Sequence, residues 1–396
     1  MMKPLSLLIS VLLICTVSQA QRKKKTLVVK EPVINHSFNR IFCGRPDSFY
    51  TRLHRLEKTK KGVVTIVQIG DSHTQPDFIS SVVREKLQQQ FGNAGRGLVF
   101  PYQLAQSNAP VDIQSSSTIP FSFNRVAHPE INALSGISGF EMETTAPSGG
   151  FTLQLKDKNA VPQQFSKIKL FFEKDSNTIC SVITTTDTTS ITSGVYTSLK
   201  KPTSSFELSY AENNAVFRFF GATLESGQPG VMYHNIGVNG AKYEHYNQAP
   251  IFWLQLKELN ADLYIVSLGT NEAQAQVFDA KAFEQQLNDF VNHIKTISPD
   301  ADLIITTSAD SFKKGVANKE QKDLNNFIAL YCEKNGISIW DLYRITNGYG
   351  ASKRWLQKGY MNKDGIHYLS AGYQIHGQLL RDCLLNGYTK YVENIH

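Results

Sequence analysis

The chain has 396 residues, of which 41% are hydrophobic and 19% charged, and a formal net charge of +7. That balance is ordinary for a globular protein with room for two domains, and it excludes fibrous, low-complexity and wholly disordered classes. Four of the positive charges lie together in Arg22-Lys23-Lys24-Lys25, and no other basic run interleaves with aromatics. A nucleic-acid partner therefore has little support, while weak attraction to an anionic surface stays open.

Residues 1–20 follow a secretory pattern, with Lys3, the apolar run LSLLISVLLICTV and Ser18-Gln19-Ala20 as a small-residue cleavage site. The run is too short to span a bilayer comfortably and nothing later reaches that length. The expectation is an exported protein, periplasmic or extracellular, without stable membrane insertion and beginning near Gln21. Bulky Ile14 ahead of Cys15 argues against lipid attachment. Cys43, Cys180, Cys332 and Cys383 are spread too widely for metal pairs or a dense disulfide framework, and export permits a disulfide without requiring one. Nothing in the sequence sets the oligomeric state.

The first strand of the pattern is VVTIVQIG, which stops at Gly70-Asp71-Ser72-His73, followed by a helix from Asp77 to about Phe91. From about Arg96 to Tyr233 come short β-rich runs, GFTLQLKD, KIKLFFEKD, TICSVITTT, ITSGVYTSLKK, SSFELSYAE and NAVFRFFGATLES, with TTTDTTSITS as a strand with one polar face. Their spacing predicts an antiparallel β-sandwich. A short strand near Tyr233–Val238 returns the chain to strand-helix alternation. ADLYIVSLGT is a strand, and the helix after it carries Phe283, Leu287, Phe290, Val291 and Ile294 on one face. ADLIITTSA, a helix closed by Gly336, ISIWDLY and a last helix from Ser370 to about Leu385 complete a parallel sheet flanked by helices. The expected division is a signal peptide over 1–20, an α/β domain over 21–95 and 234–396, and an inserted sandwich over 96–233.

Gly-Asp-Ser is by itself a common way to end a strand, because these residues suit tight turns. NIGVNGA, SLGTNEA and NKDGIHYLSAGY change its meaning, since each adjoins a predicted strand at the sheet edge that carries Ser72. An ester hydrolase needs a nucleophile, a base, a group that orients the base, and donors aimed at the developing oxyanion. An imidazole can take the serine proton because this side chain titrates near neutral pH. Asp364 lies three residues before His367, close enough for one turn of loop to aim its carboxylate at the ring. Gly240 lacks the Cβ that would keep a backbone N–H from a substrate.

Gly-Asp-Ser, a downstream Gly, Gly-x-Asn and a closing Asp-x-x-His, in that order, resemble the four blocks of the SGNH (GDSL-type) hydrolases. The resemblance implies a flavodoxin-like three-layer α/β domain with a parallel sheet, here carrying an inserted antiparallel β-sandwich. It implies Ser72 as nucleophile, Asp364 and His367 as its partners, and Ser72, Gly240 and Asn271 as oxyanion donors, with no metal and no organic cofactor. His73 stands where the family's name expects Leu, and Glu272 follows Asn271 where many members carry Asp. His73 is expected to turn away from the nucleophile, and His376 to lie on the surface of the last helix. The 168-residue separation of Ser72 and Gly240 is far longer than the family needs.

With FGNAGRGLVFPY and GVMYHNIGVNGA, that interruption resembles the bacterial peptidoglycan O-acetylesterases, which carry a sandwich similar to a carbohydrate-binding module after the serine block. The implied activity is removal of O-acetyl groups from peptidoglycan or a related polysaccharide through an acyl-enzyme. An O-acetyltransferase would use the same residues, and an inert glycan-binding protein would have no chemical need of all three of Ser72, Asp364 and His367.

Overall fold

The computed structural model describes residues 34–128, 134–157, 163–275 and 277–395. The expected signal peptide and Cys15 lie outside the described residues. Strands Val63–Gly70, Gly230–Gly237, Leu263–Ser267, Asp302–Thr306 and Ser338–Trp340 form a parallel sheet, and Ile41–Phe42 adds an antiparallel edge. Numbered along the chain, the parallel strands lie in the order 2-1-3-4-5, the flavodoxin-like arrangement whose ligand site falls beyond the carboxyl ends of strands 1 and 3.

The strand Val63–Gly70 is buried at every position after Val63. Successive side chains point to opposite faces, and both faces are covered. Val64 and Ile66 pack with Val83, Leu87 and Leu380, whereas Val67 and Ile69 belong to the core that holds Leu287 and Ile328. The helix Ala280–Ile297 buries Phe283, Leu287, Phe290, Val291 and Ile294, as the spacing predicts. Asp279 caps it by accepting hydrogen bonds from the N–H groups of Lys281 and Ala282. The helix Lys319–Asn335 ends at Gly336 in the left-handed conformation.

The last helix runs from Ser370 to Ile395, past the expected end, and His376 is not on the surface. It is 1% exposed and packs against Trp355 and Tyr368, with ring centroids 5.1 and 4.5 Å away. The reason is the close approach of the helix Phe78–Phe91: a Cβ at Gly377 would stand 2.8 Å from the Ile79 carbonyl, so the stripe Gly372, His376, Leu380 and Cys383 faces inward.

Two antiparallel sheets lie between Arg96 and the return to the parallel sheet. One has the order 188–190, 179–183, 205–211, 149–155, 113–117, and the other 196–203, 165–173, 217–225, 140–144, 122–125, with Gly95–Val99 also pairing with Phe217–Glu225. Phe151 of the first meets Phe219 of the second at 4.8 Å, and Tyr210 stacks on Phe217 at 4.5 Å. Strands 95–99, 113–117, 122–125 and 140–144 come from stretches without a clear alternating pattern, and only Thr188–Ser190 of the Thr-rich run is a strand. One apolar cluster joins Val67, Ile69 and Ile236 of the parallel sheet to Phe100, Phe140 and Phe151, so the sandwich and the sheet share a core. Among the described residues no helix is long and apolar enough to cross a membrane. Cys43, Cys180, Cys332 and Cys383 are free thiols.

A buried ionic chain ties these parts together. Asp77, with a left-handed φ of 62°, precedes the helix Phe78–Phe91 and accepts from Arg84 at 3.1 and 2.6 Å and from Arg96 at 2.8 Å. Arg96 also donates to Asp112 at 2.6 and 3.0 Å. All four side chains are buried. Burial opposes the charge on Asp77, but the two guanidinium groups outweigh it and hold the carboxyl below its usual range. Asp77→Ala should cost about 3–5 kcal/mol of unfolding free energy, because it leaves two buried guanidinium groups facing one another. A loss below about 1 kcal/mol in urea denaturation would contradict this.

Burial pushes the imidazole of His376 down to about 3. In the unfolded chain an imidazole titrates near ~6.5. Between those values the unfolded chain binds a proton that the folded chain refuses. This part of the stability is therefore complete above about pH 6.5 and lost as pH falls toward the folded value. Urea midpoints followed from about pH 7 to pH 4 should drop more steeply for the wild type than for His376→Phe, and equal slopes would count against the assignment.

Candidate active site

The serine turn is built by exclusion of side chains around it. A Cβ at Gly70 would collide with Thr74, and one at Gly237 would collide with the backbone of Thr74 and Gln75. Those two glycines let the turn press against the ends of its neighbouring strands. The Asp71 carbonyl accepts from the N–H groups of Thr74 and Gln75 at 3.1 and 3.0 Å, and the Asp71 carboxylate accepts from His73 N at 2.9 Å. Asn235 Nδ2 donates to the Thr74 carbonyl at 3.0 Å, and Tyr246 Oη donates to that of Gly70 at 2.9 Å. The turn is therefore fixed from the strand Gly230–Gly237 and from the helix Tyr243–Asn247.

Ser72 Oγ lies 2.8 Å from His367 Nε2, and His367 Nδ1 lies 2.8 Å from Asp364 Oδ2. With Nδ1–H donating to the carboxylate, Nε2 is left as acceptor for the serine hydroxyl. Asp364 Oδ1 accepts from the N–H groups of Ile366 and His367, both at 2.9 Å, so the loop holds the carboxylate that faces the ring. Partial burial works to raise the Asp364 pKa, but these N–H groups and the imidazole outweigh it and bring the group below the usual carboxylate range. The arrangement can move a proton from Ser72 to His367 while Asp364 remains ionised.

The other two blocks meet the same turn. Asn271 Nδ2 donates to the Ala241 carbonyl at 2.9 Å and lies 3.5 Å from Asp71 Oδ2. Asn239 N donates to Gln75 Oε1 at 2.7 Å. Gly240, between those two anchor points, has a φ of 83° that suits glycine. Ser72, Gly240, Asn271, Asp364 and His367 are thus joined through one connected set of contacts.

Several neighbours have environments that their sequence blocks do not specify. Burial pushes Asp71 up to about 6, against the lowering effect of His73 N, His367 and Thr270. Burial pushes Glu272 up to about 7, against its hydrogen bond from Tyr243 N at 2.8 Å and with the charge of Asp71 adding to the rise. Glu272 Oε2 is buried and lacks a hydrogen-bond partner. His73 does not turn away from the site: its ring centroid is 5.3 Å from that of His367, because Nδ1 pairs with Tyr373 Oη at 3.0 Å. Burial pushes His73 down to about 3, with His367 contributing, which leaves it neutral and unsuited to act as a second base at neutral pH.

The family model for GDSL-like lipases and acylhydrolases matches residues 190–375, a span that takes in Gly240, Asn271, Asp364 and His367 and leaves out Ser72. A comparison with curated proteins returned no match. Among solved structures, a peptidoglycan O-acetylesterase is similar with a TM-score of 0.74 at 22% identity, over 88% of this chain and 99% of that one. A lipase/acylhydrolase from Enterococcus faecalis matches at 18% identity over 38% of this chain and 74% of its own, with a TM-score of 0.30. A family two carbohydrate esterase from Cellvibrio japonicus matches at 10% identity over 71% and 99%, also with a TM-score of 0.30. On the family match over residues 190–375 and the shared fold, the chain is similar to the GDSL-like lipases and acylhydrolases and is a serine esterase.

Proposed function

We propose that this esterase is exported and removes O-acetyl groups from peptidoglycan or a related polysaccharide through an acyl-enzyme. We assign the parallel sheet, with the whole strand Gly230–Gly237, to its hydrolase domain and the two antiparallel sheets to the inserted sandwich. The observation that carries the reading is the unbroken relay Asp364–His367–Ser72, with 2.8 Å at each step. The likeness to a peptidoglycan O-acetylesterase supports the polymer, because it extends over 88% of this chain rather than the hydrolase part alone.

In the first step Ser72 Oγ attacks the acetyl carbonyl as its proton passes to His367 Nε2. Asp364 holds the opposite N–H and stabilises the imidazolium. The carbonyl oxygen becomes an oxyanion that faces the backbone N–H groups of Ser72 and Gly240 and the amide of Asn271. One Asn271 hydrogen is held by the Ala241 carbonyl, while the 3.5 Å contact with Asp71 is long enough to release the other to the substrate. The imidazolium then protonates the departing sugar oxygen, leaving acetyl-Ser72. Water, losing its proton to His367, attacks that ester, and the imidazolium returns a proton to Ser72 Oγ as the acyl–oxygen bond breaks and acetic acid leaves, ionising to acetate.

Ser72→Ala and His367→Ala should each abolish nearly all hydrolysis of 4-nitrophenyl acetate while the far-UV circular dichroism stays that of the wild type. The double variant should be little worse than either single one, because the two residues act as a unit. Asn271→Ala should lower kcat by about 10²-fold or more with a smaller change in KM. Near-wild-type turnover by folded Ser72→Ala would overturn the assignment, and an unchanged kcat would remove Asn271 from the oxyanion site.

The polymer is tested by incubating the mature protein with O-acetylated peptidoglycan and with acetylated xylan and measuring free acetate. Release from either, abolished in Ser72→Ala, is the expected result. Loss of acetyl from the glycan without free acetate, with the group recovered on a second sugar, would make the protein a transferase instead.

A further inference from the structure

We infer that His128, on a loop of the sandwich, forms part of the substrate site and contacts the sugar that carries the ester. This rests on the esterase reading above and adds a specificity residue to it. The position a Cβ would take at Gly240 is 3.4 Å from His128 Nε2 and 3.6 Å from Ala127 Cβ, so the sandwich loop lies directly on the proposed oxyanion loop. Val126 and Ala127 are buried, whereas His128 is exposed. Residues 126–128 are held in place: Val126 N donates to the Gly139 carbonyl at 3.0 Å and His128 N to that of Arg125 at 3.2 Å. A Cβ at Gly139 would collide with Val238, two residues before Gly240.

His128 does not stand alone at this rim. The ring of His245 is 6.5 Å away, and His245 Nδ1 accepts from Lys242 N at 3.2 Å, which leaves Nε2 as the donor. Lys242 Nζ pairs with Glu244 Oε1 at 3.1 Å, and His245 Nε2 is 3.6 Å from the same oxygen. Burial pushes the His245 pKa down, which favours a neutral ring. Two imidazoles, an ammonium and a carboxylate offer donors and acceptors at separate points, a lining suited to a polyhydroxylated leaving group. A long acyl chain would instead be served by apolar walls. The rim includes a residue from each part of the protein, so the hydrolase fold without the insert would lack one side of it.

The test compares full-length wild type, His128→Ala and His128→Gln on 4-nitrophenyl acetate and on whichever of O-acetylated peptidoglycan and acetylated xylan the wild type deacetylates faster. His128→Ala should lower the ratio of glycan to small-ester kcat/KM about tenfold, mainly through a higher glycan KM. His128→Gln, which keeps a donor and an acceptor, should recover part of that ratio. A ratio within about twofold of wild type, or an equal loss on both substrates, would overturn the assignment. Failure of the underlying esterase reading is seen separately, as persistence of small-ester hydrolysis in Ser72→Ala.

Discussion

A carboxylate with two guanidinium groups around it sits where the serine turn becomes a helix. Asp77 occupies a left-handed backbone conformation, which an L-residue adopts at some cost, and its charge is removed from water. Both costs are offset only if Arg84 and Arg96 stay in place. Arg84 lies two turns along the same helix, and Arg96 lies on a strand of the sandwich. Ser80 Oγ lies within hydrogen-bond distance of both Asp77 and Asn235, which carries the restraint into the next parallel strand. The position of Ser72 is therefore set by charge neutralisation in the interior as much as by its own turn.

The carboxylates around the site divide by environment. Asp364 is partly exposed and held by N–H groups of its own loop, so it stays ionised and can orient an imidazole. Asp71 and Glu272 lie inward, where burial favours their neutral forms. The charge of Asp364 can therefore stabilise an imidazolium on His367, while burial favours proton binding by Asp71 and Glu272.

Much of the parallel sheet was legible because each strand and helix carries its own period and its own stop signal, as in Phe283 through Ile294 or at Gly336. The relay was legible because its three members fall in two short blocks. What escaped depends on partners distant in sequence. His376 reads as surface until the helix Phe78–Phe91 is laid across it. Arg96, a charge within the apolar run GRGLVFPY, carried a hint of a buried pair, but nothing local names Asp77 and Asp112 as its partners. His128 lies in a stretch with no periodicity at all, and its relation to Gly240 exists only once the sandwich has folded back.

The strands Val63–Gly70 and Gly230–Gly237 are immediate neighbours in the sheet, yet the whole sandwich lies between them in the chain. Their pairing closes a loop of such length that an unstructured chain would rarely make it, and long-range parallel pairing is intrinsically slow. A folded sandwich shortens that search, since Gly95–Val99 pairs with Phe217–Glu225 and brings both ends of the insert together. An insert that closes on itself would deliver the second strand to the first. The insert also shares the apolar cluster that includes Val67 and Ile69 of the first strand. Substitutions that loosen the insert's aromatic packing would then slow the pairing of the two strands, a kinetic effect distinct from any on the finished site.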